Sequence, residues 1–210
     1  MADKYRSFEE LADNETAGVT YGILARQNTT AFAVIAPHGG GIEEGTSEIA
    51  DAITGNEFSF YTFEGLKPRN NTDLHITSTR FDDPMCITLV GRCDAVVTIH
   101  GQESEVDGDG VFIGGLDHTL GASLGTALNN AGFAVHAHPK PNLQGLEPAN
   151  VCNRGSSGKG VQIEISRSVR QTMFSSLSSA GRTQPTAMFD SFVGAVRGVL
   201  LQTVSRVSHA

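Results

Sequence analysis

The segment Asp94-Ala95-Val96-Val97-Thr98-Ile99-His100 constrains the fold more than any other part of the chain. Its nearly continuous run of apolar and β-branched residues suits a strand covered on both faces, as in a parallel sheet. Residues 31–36 (AFAVIA) have the same character and run straight into Pro37-His38-Gly39-Gly40-Gly41. Further strands are expected at 19–26, 57–63, near 111–114, at 133–138 and at 160–166, with a short one at 74–78. Helical patterns cover 6–14, 43–54, a start at Asp82-Asp83-Pro84, a stretch near 117–130, the residues after 166, and 185–207. The last helix lines up Phe189, Phe192, Val196, Val199 and Leu200 along one face. Strands and helices alternate without a repeat or a linker. The expectation is one α/β domain over residues 1–210, with three α/β/α layers around a mixed, mostly parallel sheet.

Charge and cysteine content exclude several classes of function. A net charge of −8 leaves no basic surplus for binding nucleic acid. No run reaches the roughly 18 apolar residues of a membrane span, so no membrane partner is expected. Cys86, Cys93 and Cys152 form no CxxC pair and read as buried free thiols rather than a disulfide framework or a thiolate metal site. The polar start Met1-Ala2-Asp3-Lys4-Tyr5 has no apolar run behind it, which predicts synthesis in the cytoplasm without a signal peptide. A monomer is the expectation.

Three apolar strands deliver a polar residue at or near their carboxyl ends: His38, His100 and Glu164. In open α/β sheets the ligand crevice lies outside those ends, so side chains from neighbouring strands converge there without being close in sequence. After His38 the glycines permit a tight turn, and Glu43 is expected near the start of the following helix, able to swing back beside the imidazole. Two imidazoles and a carboxylate with a fourth position open form a catalytic zinc site, which makes His38, Glu43 and His100 the candidate ligands of one Zn2+ ion. Glu44 competes with Glu43 on spacing alone. A lone strand-end histidine such as His100 is otherwise an ordinary hydrogen-bonding residue. Alternation within VQIEIS puts Gln162 and Glu164 on one face of a strand that should be central. There a carboxylate is costly unless it is paired with an arginine or tuned as a general base.

Basic residues that suit an anionic substrate are Arg154, which offers a fork for a carboxylate, and Arg80 and Lys159. His75 sits where it would line the cleft. The glycine-rich 155–160 lacks the spacing of a phosphate loop and precedes a strand rather than a helix. His136 and His138 read as structural, and His118 and His209 as exposed.

Four ordered blocks, PHGGGIEEGTSEIA (37–50), LHITSTRFDDP (74–84), DAVVTIHG (94–101) and NRGSSGKGVQIEIS (153–166), resemble the poly-γ-glutamate hydrolases of bacteriophages and their bacterial relatives. That family is similar in fold to the zinc carboxypeptidases and aspartoacylases. The resemblance implies zinc ligation by His38, Glu43 and His100, catalysis by Glu164, and a substrate-carboxylate contact from Arg154. It implies an anionic γ-linked polyglutamate substrate, capsule degradation as the purpose, and release at host lysis. Carboxypeptidases space their first ligands His-x-x-Glu, whereas four residues separate His38 from Glu43 here, a spacing the poly-γ-glutamate hydrolases share. Two other readings stand beside this one: a related zinc amidohydrolase acting on an N-acyl amino acid or a γ-D-glutamyl cell-wall peptide, and a metal-stabilised binding protein without turnover.

Overall fold

The computed structural model describes residues 3–103 and 109–207. Seven strands form one sheet: β1 (Tyr21–Arg26), β2 (Phe32–Gly40), β3 (Ser59–Gly65), β4 (Ala95–Gln102), β5 (Val111–Gly114), β6 (Val135–His136) and β7 (Lys159–Ser166). Their order across the sheet is β1-β3-β2-β4-β7-β5-β6. The four central strands β3, β2, β4 and β7 are parallel, and β1 and β5 join them antiparallel.

The helices are α1 (Phe8–Asn14), α2 (Thr46–Thr54), α3 (Pro84–Val90), α4 (His118–Asn130), α5 (Arg167–Met173), α6 (Ser179–Arg182) and α7 (Ala187–Val207). Alternation along the strands assigns each apolar side chain to one of two cores. Val34, Phe60, Val97 and Ile163 face α2, α4 and α7, where Ile49, Leu124, Phe192 and Val196 meet them. Ala33, Ile35, Phe63 and Val96 face the opposite way, onto Leu11 of α1, Leu89 and Val90 of α3, and Leu74 and Phe81. Both faces of the central strands are thus covered, which is why their sequences lack alternation. Helix α7 is long and apolar enough by composition to cross a membrane. Its Phe192, Val196 and Leu200 are instead buried in the first core.

Several boundaries differ from the sequence expectation for identifiable reasons. The segment 74–78 is not a strand, because side chains occupy its backbone groups: Ile76 O accepts from His38 and Thr77 N–H donates to Asp3. The second strand does not stop at Ala36 but continues through His38 to Gly40, with a register shift against β3 between Ala36 and Gly39. Pro37 falls within that irregularity, where a missing N–H is tolerated. Helix α2 begins at Thr46 rather than 43, because Gly45 before it has φ +96°, outside the helical region. The 133–138 strand shrinks to two residues paired with Val111 and Phe112. Of the 103–110 loop, residues 104–108 lie outside the described residues, as does His209.

The chain moves from β2 to its neighbour β3 through α2 on one face, then crosses to β4, on the other side of β2, through α3 on the opposite face. The carboxyl ends of β2 and β4 therefore flank a topological switch point, where a crevice opens. Phe192, buried and edge-on to Phe133 at 5.2 Å, lies in the core facing away from this crevice. Replacing it with alanine should cost about 3–5 kcal/mol in urea unfolding and leave activity per folded molecule unchanged.

Candidate metal centre

The ladder between β2 and β4 ends at the pair Ile35 and Thr98. His38 and His100 lie just beyond it, so their side chains meet in the opening between the strands. Gly39 is required next to His38: a Cβ there would sit 2.1 Å from Ser47 Oγ and 2.4 Å from Thr62 Oγ1. The turn that follows, with Gly40 at φ +63°, returns the chain so that Glu43 faces both histidines.

His38 Nδ1 is 3.0 Å from Glu43 Oε1 and 3.2 Å from His100 Nδ1. His100 Nδ1 is 3.5 Å from Glu43 Oε2. A transition-metal ion bonded at about 2.0–2.1 Å in a tetrahedron sets its ligand atoms about 3.3 Å apart, so this trio has the dimensions of three corners. The outer nitrogens face the 74–78 loop. His38 Nε2 donates to Ile76 O at 2.9 Å, and His100 Nε2 lies 3.5 Å from Ser78 Oγ. Both Nδ1 atoms face the carboxylate, on the side where a cation would be held. Gly101 N–H donates to Glu43 Oε2 at 2.9 Å and holds the carboxylate in place. Glu44, the rival on spacing, turns away to Arg167 at 2.9 Å.

Glu164 is the direct cross-strand partner of His100, so both project from the same face of the sheet. Gln162 Nε2 donates to Glu164 Oε1 at 2.9 Å, and no arginine pairs with this carboxylate among the described residues. Burial, opposed by His100 and reinforced by the negative charge of Glu43, pushes the Glu164 carboxyl up to about 7. Burial also acts to raise Glu43, but His38 and His100 outweigh it and hold that carboxyl well below the usual range. The two buried carboxyls are thereby driven toward opposite protonation states.

His75 lies over His38, ring centroids 4.0 Å apart, and its donor atom falls within 4.8 Å of those of His38 and Glu43. Its Nδ1 donates to Asp3 Oδ1 at 2.8 Å. The same carboxylate binds Thr77 N–H and Arg80. His38, followed by burial, pushes His75 down to about 4. Asp3, His75, Thr72, Ile42, Glu43, Gly101 and Glu103 line a cleft of about 240 Å³ over the centre.

The other basic candidates are placed differently. Arg154 is half-buried and donates to Phe81 O at 3.0 Å. Its neighbour Asn153 is buried, bonding Gly145 and Glu147 carbonyls and the Leu116 and Gly160 amides. Lys159 is a correction: it pairs with Ala95 at the amino end of β7, five ladder positions from Glu164 and at the wrong end of the sheet to reach the cleft. Asp3 carries no sequence signal, since a lone acid in a polar segment looks solvated. His138 is buried and donates to Gln102 Oε1 at 2.8 Å, a structural role.

Residues 5–195 match the family described as poly-gamma-glutamate hydrolase. The chain belongs to this hydrolase family. It is 38% identical over 192 residues to the SPbeta prophage-derived UPF0714 protein YoqZ of Bacillus subtilis, covering 90% of this chain and 69% of that protein. The solved structure of a bacteriophage poly-gamma-glutamate hydrolase superposes with a TM-score of 0.90 at 34% identity, covering 97% of this chain and 99% of that one. YndL of Bacillus subtilis, in a zinc-free apo form, superposes with a TM-score of 0.87 at 36% identity, covering 96% and 99%. The mixed sheet and its covering helices are thus those of the poly-γ-glutamate hydrolases.

The raised Glu164 carboxyl has a consequence for metal-free protein. The fold favours its protonated form, so the stability it contributes is full below the ordinary value of 4.5 and is lost as pH rises through about 7. Between about pH 5 and pH 8, the unfolding free energy of metal-free parent protein should fall relative to that of Glu164→Gln. A pH-independent difference would show that the carboxyl is not held protonated.

Proposed function

We propose that the protein is a zinc-dependent hydrolase of γ-glutamyl amide bonds in poly-γ-glutamate. The carrying observation is the trio of inward-facing donor atoms at 3.0–3.5 Å spacing with a buried glutamate, unpaired by arginine among the described residues, as the cross-strand neighbour of one of them. His38, Glu43 and His100 would hold the ion and leave a fourth position open. Bound zinc supplies a Lewis-acid charge for the scissile carbonyl and lowers the pKa of water. Glu164 takes a proton from the attacking water and delivers it to the leaving amine as the C–N bond breaks. A metal-stabilised binding protein has no use for that second buried carboxyl, which favours the enzyme.

The substrate reading is supported by family membership and by the phage relative of 34% identity. A γ-linked chain presents one free α-carboxylate per residue. Arg80, 48% exposed and beside His75 through their shared partner Asp3, is the basic candidate best placed to meet one at the cleft. Arg154 would need to leave the Phe81 carbonyl to do the same. A phage relative and a prophage-derived one fit a role in stripping a polyglutamate capsule, and we further propose that the enzyme is a monomer made in the host cytoplasm and freed at lysis.

Glu164→Gln should retain stoichiometric zinc and lose about 10²–10⁴-fold in the rate of poly-γ-glutamate cleavage, followed by the release of new amino groups. Unchanged cleavage would remove Glu164 from the mechanism. Comparison of poly-γ-glutamate, α-linked polyglutamate and muropeptides as substrates, with and without chelator, tests the bond assignment: cleavage only of the first, and only without chelator, is expected.

A further inference from the structure

Arg170 is the largest fully buried side chain among the described residues, with 1% of its surface exposed. It belongs to α5, immediately after β7, and nothing in the chemistry above uses it. Burying a guanidinium is expensive, and an apolar side chain of similar volume commonly replaces one at no loss of stability. What a guanidinium offers in return is a rigid plane of N–H donors aimed in fixed directions. Here the plane spans three separate parts of the chain. Nε donates to Ile165 O at 3.1 Å, Nη1 to Glu44 O at 2.6 Å, and Nη2 to Gln102 O at 3.2 Å.

Each accepting carbonyl stands beside a residue of the centre. Ile165 follows Glu164, Glu44 follows Glu43, and Gln102 is two residues beyond His100. Between His100 and Gln102 lies Gly101, where an added Cβ would be 2.5 Å from Arg170 Cζ and 2.8 Å from Nε. The guanidinium therefore packs against the backbone of the very residue whose N–H grips Glu43 Oε2. Its nearest acidic oxygen among the described residues, Glu44 Oε2, is 3.9 Å away and already bonded to Arg167 at 2.9 Å. The donors of Arg170 are thus committed to backbone carbonyls and not to a tight ion pair.

We propose that Arg170 is a positioning residue that ties the turn carrying Glu43 to the ends of β4 and β7, setting the distances among Glu43, His100 and Glu164. Its activity arm rests on the hydrolase reading; its metal-binding arm does not.

The test uses the full chain with Arg170→Lys and Arg170→Met, far-UV dichroism to establish folding, zinc titration against a chromophoric chelator, and separate kcat and KM on poly-γ-glutamate. Both variants should fold, bind zinc about 10–100-fold more weakly, and at saturating zinc show a reduced kcat with KM little changed. Lysine should not rescue, because an ammonium keeps the charge but radiates its donors from one atom. Parent-like zinc affinity and kcat in a folded variant would overturn the proposal. Rescue by lysine would assign the effect to charge and overturn it as well, and loss of folding in both variants would assign Arg170 to the fold as a whole. If the parent binds zinc but does not cleave poly-γ-glutamate, the hydrolase reading fails while the zinc titrations still decide the role of Arg170.

Discussion

Two imidazole nitrogens and a carboxylate facing one another at 3.0–3.5 Å is the arrangement on which the rest of the architecture bears. Without a cation, such a cluster is held together only by protons and by the rigidity of the elements behind it. Those elements are the two strands that part company after Ile35 and Thr98, and the glycine turn that brings Glu43 back. The outward nitrogens of the histidines are tied to Ile76 O and approach Ser78 Oγ, so the loop between β3 and α3 acts as the outer wall. This dual dependence explains why 74–78 could not be a strand: its backbone is committed to His38 and to Asp3.

The electrostatics follow from the same geometry. Glu43 and Glu164 are both buried carboxyls near His100, yet their proton affinities are driven in opposite directions. Glu43 contacts both imidazoles and a backbone N–H, all favouring its anion. Glu164 has an amide partner and the repulsion of Glu43. The difference in partners, not in burial, separates the two carboxyls.

Much of this was readable from residue order, because strand-end placement depends only on local pattern. The apolar runs before His38 and His100 and the alternation around Glu164 put all three residues at one end of the sheet. Glu43 was separable from Glu44 only in three dimensions, where Arg167 claims the latter. Lys159 failed for the reverse reason: its closeness in sequence to Glu164 becomes distance once the strand is extended, at about 3.3 Å per residue. Asp3 and Arg170 left no trace because what distinguishes them is long-range partners, 72–77 positions away for Asp3 and 68 and 126 for two of the three carbonyls that Arg170 holds. A buried arginine in RSVRQTMF looks like any solvated helix charge until its carbonyls are found.

The cross-strand pairing of His100 with Glu164 ties chemistry to sheet alignment. Side chains on a strand alternate faces, so a slip of β7 by a single residue would swing Glu164 to the opposite face and bring Ile163 or Ile165 against the imidazole. Such a misaligned molecule would keep nearly all of its secondary structure, and bulk spectroscopy would count it as native. Specific turnover would expose it, which makes this enzyme a sensitive gauge of whether its own β-sheet has assembled in the correct phase.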